Sequence, residues 1–179
     1  IYNYIQQNEY SEDVQSYELL NREKMLAATT KINIINIWQF ITDASLTGDR
    51  AVLSENAEAC RVEAFKAIDE WITVDKDRTN DLLELKEKIN AYLLVGENMF
   101  NGYQSSSTEG NVQMEIFDAA SESLLTDINV LDSAVTEKCT ASVAEMITMT
   151  DSSKILILIL SFLLLGISIT IALIAAAKI

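Results

Sequence analysis

The sequence predicts an all-α protein, an antiparallel up-down-up-down four-helix bundle that continues into a transmembrane helix. Three observations favour this fold. The 179 residues contain no Pro, whose ring breaks helices. Apolar residues recur at alternating intervals of three and four, as in packed helices, and no segment has the alternation of a strand. An uncharged run of 23 residues, 155–177, lies near the carboxyl end.

The first two helices are separated by a predicted turn at Gly48. Gly48 favours the left-handed conformation that ends a helix, and Asp49 is expected to cap the helix that follows. The first helix covers residues 14–47, and its seam is Leu20, Ala27, Thr30, Ile34, Ile37, Ile41 and Ala44. The seam of the second helix is Leu53, Ala57, Cys60, Ala64, Ala67 and Trp71.

A charged run, 75–80, and a polar loop, 104–110, delimit the third helix. Asp81 and Glu84 resemble a capping pair at its start, and its seam is Leu82, Leu85, Ile89, Tyr92, Gly96, Met99 and Tyr103. The fourth helix is expected from Asn111 and has the seam Met114, Phe117, Ser121, Leu124, Ile128, Leu131 and Val135. Because no Pro or Gly interrupts it before the apolar run, we expect one rod of about 100 Å that enters the membrane.

The apolar run is bracketed by Lys154 and Lys178 and is long enough to cross a bilayer, which needs about 20 residues. Residues 1–153 carry 11 Lys and Arg against 27 Asp and Glu, a net charge of −16. They have no basic cluster beside the span, so they are expected outside the cytoplasm. The predicted domains are therefore an extracytoplasmic bundle, 1–153, and a transmembrane helix, 154–178.

Composition argues against several functions. A net charge of −14 disfavours nucleic-acid binding, which needs a basic face. The chain has no His, which removes the commonest general base and most zinc sites. We therefore expect no enzymatic activity, no catalytic residue, no cofactor and no metal.

One layer of the predicted bundle has few large side chains, since it combines Ile37 with Cys60, Gly96 and Ser121. Three explanations remain open: Trp38 turns inward to fill the space, a small molecule binds there, or local collapse or water fills it. Arg61, next to this layer, is a candidate partner for a ligand carboxylate or forms a solvated ion pair with Glu58 or Glu63. The candidate ligand-binding residues are Trp38, Cys60, Arg61, Gly96 and Ser121.

The two cysteines are predicted to lie far apart. Cys60 and Cys139 are separated by nearly 30 Å along the bundle axis at ~1.5 Å per residue, too far for a disulfide. Cys60 is expected to be a small core residue. Cys139 lies where only the first and fourth helices continue toward the membrane, and such a stalk is expected to pair with a second copy. In such a homodimer, Cys139 either forms an intersubunit disulfide or only packs against its neighbours.

Three stretches of the sequence resemble the extracytoplasmic four-helix sensor region of bacterial methyl-accepting chemotaxis proteins. They are 38–45 (WQFITDAS), 46–50 (LTGDR), and 96–103 (GENMFNGY) leading to 110–118 (GNVQMEIFD). The resemblance implies that the span lies in the inner (cytoplasmic) membrane. Related sensor histidine kinases share such input domains. The resemblance implies a first membrane helix before Ile1 and a HAMP linker with a kinase-coupling coiled coil after Ile179. It also implies a function: a small molecule or a periplasmic binding protein shifts the fourth helix, which relays the stimulus across the membrane. The alternatives are a histidine kinase input domain and a membrane-tethered structural or interaction bundle without a ligand.

Overall fold

The computed structural model is helical over nearly all of the part of the chain that it describes, and that part contains no strand. Its backbone is described for residues 2–176, and its side chains for residues 14–152 and 154–165. The long helices are α1 (Tyr2–Thr47), α2 (Glu58–Val74), α3 (Thr79–Ser105) and α4 (Ser107–Ala176). A π-helical turn, Val52–Ala57, leads into α2, and a 3-10 turn, Lys76–Arg78, lies between α2 and α3. The all-α prediction with four helices is confirmed.

The turn between α1 and α2 forms as the sequence predicts. Gly48 has a φ of +73°, a conformation that a side chain would strain, and its N–H donates to the Ala44 carbonyl at 2.8 Å. The Asp49 carboxylate accepts the Ala51 N–H at 2.9 Å, which satisfies a donor at the start of the next helix. Both local predictions at this turn are confirmed.

The start of α3 differs from the prediction. Asp75, and not Asp81, is the capping residue, since its carboxylate accepts the Asp77 N–H at 3.1 Å. The 3-10 turn then leads directly into α3 at Thr79, so that Asp81 already lies inside the first helical turn. The predicted capping pair of Asp81 with Glu84 is therefore wrong.

The predicted loop 104–110 is also wrong. Ser106 alone separates α3 from α4, and its hydroxyl accepts the Glu109 N–H at 3.2 Å. Consequently α4 begins at Ser107 rather than at Asn111. Gly110 lies inside α4, where an added Cβ would overlap the ring of Tyr103, so this glycine permits close approach of the two helices.

The core draws on all four helices and follows the predicted seams. Its buried members include Ile34, Ile37 and Ile41 of α1, Ala64, Ala67, Ile68 and Trp71 of α2, Leu82, Leu85, Ile89, Tyr92 and Met99 of α3, and Phe117, Leu124, Ile128, Leu131 and Val135 of α4. Isolated helices of this kind are marginal in water, so the burial of these side chains stabilises the fold.

Polar pairs on the outside of the core join each helix to the next one and α1 to α4. The four pairs, with their distances, are Arg22–Glu70 at 2.8 Å, Lys86–Asp69 at 2.8 Å, Lys88–Asp127 at 2.9 Å and Trp38–Asp118 at 3.1 Å. Most of these groups are partly exposed, so each ion pair contributes little to stability, and the pairs mainly report which helices are neighbours.

The chain divides into two compact units, which are Gln15–Cys139, and Ile1–Val14 with Thr140–Ile179. Among the described residues, one helix is long and apolar enough to cross a membrane, and it covers Ser107–Leu165. The large apolar side chains that begin at Ile155 are exposed as far as Leu165. Ala177 and Lys178, which end the predicted apolar segment, lie outside the described residues.

Candidate functional site

The sparse layer predicted around Gly96 is filled by its neighbours along the bundle. A Cβ placed on Gly96 would lie 2.5 Å from Cδ1 of Ile41 and 3.1 Å from Cε2 of Phe117. The expected space at Gly96 is therefore occupied, because large side chains from the adjacent layer reach over the glycine. The sequence predicts the position of each Cα along the bundle axis, but it does not show that the side chains of Ile41 and Phe117 extend over Gly96 from the adjacent layer.

Trp38 does not turn inward to fill this layer. Its side chain is 38% exposed, and its indole N–H donates to the Asp118 carboxylate at 3.1 Å. This hydrogen bond joins the carboxyl-terminal part of α1 to the amino-terminal part of α4. Asp118 was not a predicted site residue, although its position three residues before Ser121 places both on neighbouring parts of one helix face.

Ser121 lies beside a buried tyrosine hydroxyl. Tyr92 is 2% exposed and stacks on Phe117 with ring centroids 4.6 Å apart. The Tyr92 hydroxyl oxygen is buried and has no hydrogen-bond partner of ordinary geometry among the described residues. Burial raises the pKa of Tyr92, and the Asp118 charge raises it further, while the nearby Ser121 hydroxyl opposes both effects. Trp38, Asp118, Ser121 and Tyr92 thus form one cluster across α1, α3 and α4.

Arg61 and Cys60 lie on α2 and serve different contacts. The Arg61 guanidinium forms an ion pair with Glu58 and lies 4.8 Å from the centroid of the Phe65 ring. The hydrogen bond from Arg61 lowers the pKa of Glu58. This arrangement is the ion pair that the sequence offered as the alternative to a ligand contact. Cys60 is a half-buried free thiol, and burial raises its pKa.

Cys139 is also a half-buried free thiol, next in sequence to a residue that reaches the α2–α3 turn. Lys138 Nζ lies 3.4 Å from the Asp75 carboxylate. The structure therefore places Cys139 beside the level of that turn, whereas the sequence predicts it below the turn; its contact with a second copy stays a prediction.

A second polar cluster at this turn was missed by the sequence analysis. Glu23, 5% exposed, accepts the Trp71 indole N–H at 3.3 Å. Burial raises the pKa of Glu23, the Trp71 hydrogen bond opposes this, and the Asp75 charge adds to it, while Lys138 and Arg78 lower it. Burial of Asp75 acts to raise its pKa, but Lys138, Arg78 and the Asp77 N–H outweigh burial and lower it.

The described residues do not assemble a group of three or more Cys, Asp or Glu side chains that could hold a metal ion. Comparisons with models of protein families, with curated proteins and with solved structures find no match to this chain. The cluster around Trp38 and Asp118 is the candidate site, since it combines an exposed polar contact between helices with a buried hydroxyl that lacks a partner.

Proposed function

We propose that the chain is the input region of a transmembrane receptor, in which residues 1–153 form an extracytoplasmic antiparallel four-helix bundle and residues 154–178 cross the inner membrane. One observation carries this proposal. A single helix, α4, supplies core residues from Phe117 to Val135 and also the exposed apolar side chains that follow Ile155. A change in the packing of the bundle therefore has a continuous path toward the membrane.

The antiparallel arrangement is supported by contacts at two sets of turns. A Cβ on Gly48 would lie 3.4 Å from the Gln104 side chain, so the α1–α2 turn adjoins the end of α3. Lys138 forms an ion pair with Asp75, so the α2–α3 turn adjoins a point on α4 that lies some 30 residues after the start of that helix. These contacts are those expected of an up-down-up-down bundle.

The mechanism is a shift between two packings of α4 against α1. A stimulus moves such an equilibrium only by the difference in its affinity for the two states. The exposed hydrogen bond between Trp38 and Asp118 is suited to this role, because breaking it leaves both partners in contact with water. The stimulus is a small molecule or a periplasmic binding protein, and the output is a chemotaxis coiled coil or a histidine kinase.

The receptor is proposed to act as a homodimer through an outer seam on α1. This seam faces away from the core and consists of Met25, Ala28, Ile32, Ile35, Gln39, Thr42 and Leu46, all but the half-buried Thr42 exposed. The alternating spacing of three and four is that of a coiled-coil interface, and a single polar residue such as Gln39 within a seam sets its register. Two copies anchored in one membrane would meet along this seam in parallel.

The dimer is tested by cysteine substitution of Ile32, which lies on the outer seam, in the C60S/C139S background in membranes. Oxidation is expected to give a crosslinked dimer with I32C. The matched control is E63C, an exposed position on α2, which is expected to stay monomeric. If I32C stays monomeric, or if I32C and E63C crosslink equally, the outer seam is not the dimer interface.

The relay is tested in a receptor chimera, in which this chain replaces the sensor region and second membrane helix of a chemotaxis receptor. W38F and D118A both remove the hydrogen bond between α1 and α4, and both are expected to shift basal kinase activity in the same direction. The control E115A, at an exposed carboxylate one turn away, is expected to leave it unchanged. Two glycines inserted after Val143 are expected to abolish the shift.

The same chimera distinguishes a sensor from a tether that binds no ligand. A structural bundle would leave kinase activity unaffected by W38F and by D118A, with or without the glycine insertion. An unchanged shift after the insertion would instead reject the uninterrupted α4 helix as the path of the signal.

A further inference from the structure

The cluster between α1 and α4 carries a negative charge that no cation neutralises within the described part of the chain. Asp118 is exposed and accepts the Trp38 indole N–H, but it forms no ion pair among the described residues. By contrast Asp127, nine residues farther along α4, is paired with Lys88 at 2.9 Å. Asp118 is thus a carboxylate held by a neutral donor, which a cation can replace with a gain in charge pairing.

The second feature of the cluster is the Tyr92 hydroxyl. The Tyr92 side chain is 2% exposed, and its hydroxyl makes no hydrogen bond of good geometry among the described residues, although the Ser121 hydroxyl lies close enough to lower its pKa. A buried hydroxyl that is poorly paired destabilises a folded protein. Tyr92 stacks on Phe117, the residue next to Asp118, so the hydroxyl and the carboxylate belong to one cluster. Burial is the main cause of the raised pKa of Tyr92, and the Asp118 charge adds to it. A ligand group that donates to both oxygens would satisfy the hydroxyl and neutralise the carboxylate together.

The surrounding side chains favour a positively charged ligand over a negatively charged one. Trp38 offers a partly exposed aromatic ring, whose face attracts cations, and Ser121 adds a hydroxyl. An anionic ligand would meet the Asp118 carboxylate without a compensating Lys or Arg in the described cluster. The net charge of the chain, −14, further raises the local concentration of cations.

We propose that a small organic ammonium ion binds between α1 and α4, donating to the Asp118 carboxylate and to the Tyr92 hydroxyl and displacing the Trp38 indole N–H from Asp118. The freed indole ring covers the ammonium group by a cation–π contact. This inference rests on the proposed sensor function, because loss of the Trp38–Asp118 hydrogen bond is the event that would alter the packing of α4 on α1. The ligand class is an amine, in contrast to a carboxylate bound by Arg61.

The chain provides its own internal control for the test. It has two Trp residues, and each indole N–H donates to a carboxylate, Trp38 to Asp118 and Trp71 to the buried Glu23. In the full chain labelled with ¹⁵N-tryptophan in detergent micelles, the two indole signals are assigned with W38F. Titration with propylammonium is expected to move the Trp38 signal saturably and to leave the Trp71 signal in place. Propionate and 1-propanol, matched in size, are expected to move neither signal.

Two variants separate a binding role from a structural one. D118N is expected to weaken propylammonium binding at least tenfold, whereas E115Q is expected to bind as the wild type does. Y92F removes the unpartnered hydroxyl, so it is expected to raise the thermal midpoint of the ligand-free chain and yet to weaken propylammonium binding several-fold. A purely structural Tyr92 would change the midpoint alone.

The proposal is overturned if propionate moves the Trp38 signal as strongly as propylammonium does, if no probe moves it, or if D118N binds propylammonium as the wild type does. Each of these outcomes leaves the receptor proposal open to its separate test. The shift in basal output caused by W38F and D118A in the chimera requires no ligand, so its presence with a failed titration would reject the amine and retain the relay.

Discussion

The indole nitrogen of Trp71 donates to the buried carboxylate of Glu23 at 3.3 Å and thereby links α2 to α1 at the level of the α2–α3 turn. Among the described residues, this is the single hydrogen bond made by the Glu23 side chain, and it comes from an uncharged donor. A carboxylate at 5% exposure with one neutral donor is poorly compensated for the loss of water. The charge on Glu23 therefore destabilises the fold at neutral pH.

We expect E23Q to stabilise the protein at pH 7 by about 1 kcal/mol, because glutamine accepts the Trp71 hydrogen bond without a charge. The pKa of Glu23 is raised in the folded chain, chiefly by burial, so the folded state binds this proton more tightly than the unfolded state does. The gain from E23Q should be full above the folded pKa and should vanish below about 4.5, the ordinary value for glutamate.

Denaturant unfolding of the full chain in micelles at pH 7 and pH 4 measures this gain. The exposed Glu63 gives the control variant E63Q, which should change stability little at either pH. Equal stability of E23Q and the wild type at pH 7 would mean that Glu23 is adequately solvated or paired.

The neighbouring carboxylate, Asp75, is expected to behave in the opposite way. Asp75 is 9% exposed and accepts hydrogen bonds from Asp77 N–H, from Arg78 Nε at 3.0 Å and from Lys138 Nζ at 3.4 Å. D75N should therefore destabilise the fold by about 2 kcal/mol at pH 7, since it leaves the half-buried Arg78 without its charge partner. K138M, which removes a more exposed partner, should cost less.

The pH dependence identifies the cause of the D75N effect. Because the pKa of Asp75 is lowered below 3.8, the stability from its charge is present above 3.8 and is lost as the pH falls through the folded pKa. Chemical unfolding curves at pH 7 and pH 3 should thus show a smaller cost of D75N at the lower pH. A cost that is independent of pH would assign the effect to packing.

Close packing at Gly96 gives a prediction about the core. An added Cβ would lie 2.5 Å from Cδ1 and 2.9 Å from Cγ2 of Ile41, so G96A should destabilise the fold by about 1–3 kcal/mol. I41V removes the Cδ1 atom, and the double variant should recover part of the loss. A double-mutant cycle in thermal or chemical unfolding measures this coupling, and additive effects would show that Ile41 is not the obstacle.

The sequence predicts the core better than it predicts the turns. Periodicity identifies buried residues such as Ile37 and Ile128, because one face of a helix must be apolar if that helix packs. The turn at Gly48 is predicted correctly because the positive φ at the end of α1 favours a glycine. The loop at 104–110 is misjudged, since polar residues also form helix ends, and Ser106 with Glu109 three residues later is the capping signal that marks the true boundary.

The sequence names Trp38 and Ser121 as candidate site residues, but it does not predict the pairing of Trp38 with Asp118, for a geometric reason. Trp38 and Asp118 lie on the flanks of their helices, between the apolar seam and the exposed face, where periodicity makes no assignment. Their pairing depends on which helices are neighbours and on the register between them. The same holds for Asp75 and Lys138, which are 63 positions apart and meet at a turn.

The two thiols should respond differently to oxidation, which gives a last prediction about assembly. Burial raises the pKa of Cys60 and so lowers its thiolate fraction, and Cys60 faces the bundle core. Cys139 lies beside the α2–α3 turn, where the proposed homodimer would bring two stalks together. Mild oxidation of membranes that contain the full chain is therefore expected to yield a disulfide-linked dimer that C60S retains and C139S loses, as measured on non-reducing gels. A dimer that persists in C139S would move the contact to Cys60 and so require α2 at the interface, whereas an absence of dimer in the wild type would make Cys139 a packing residue within its own chain.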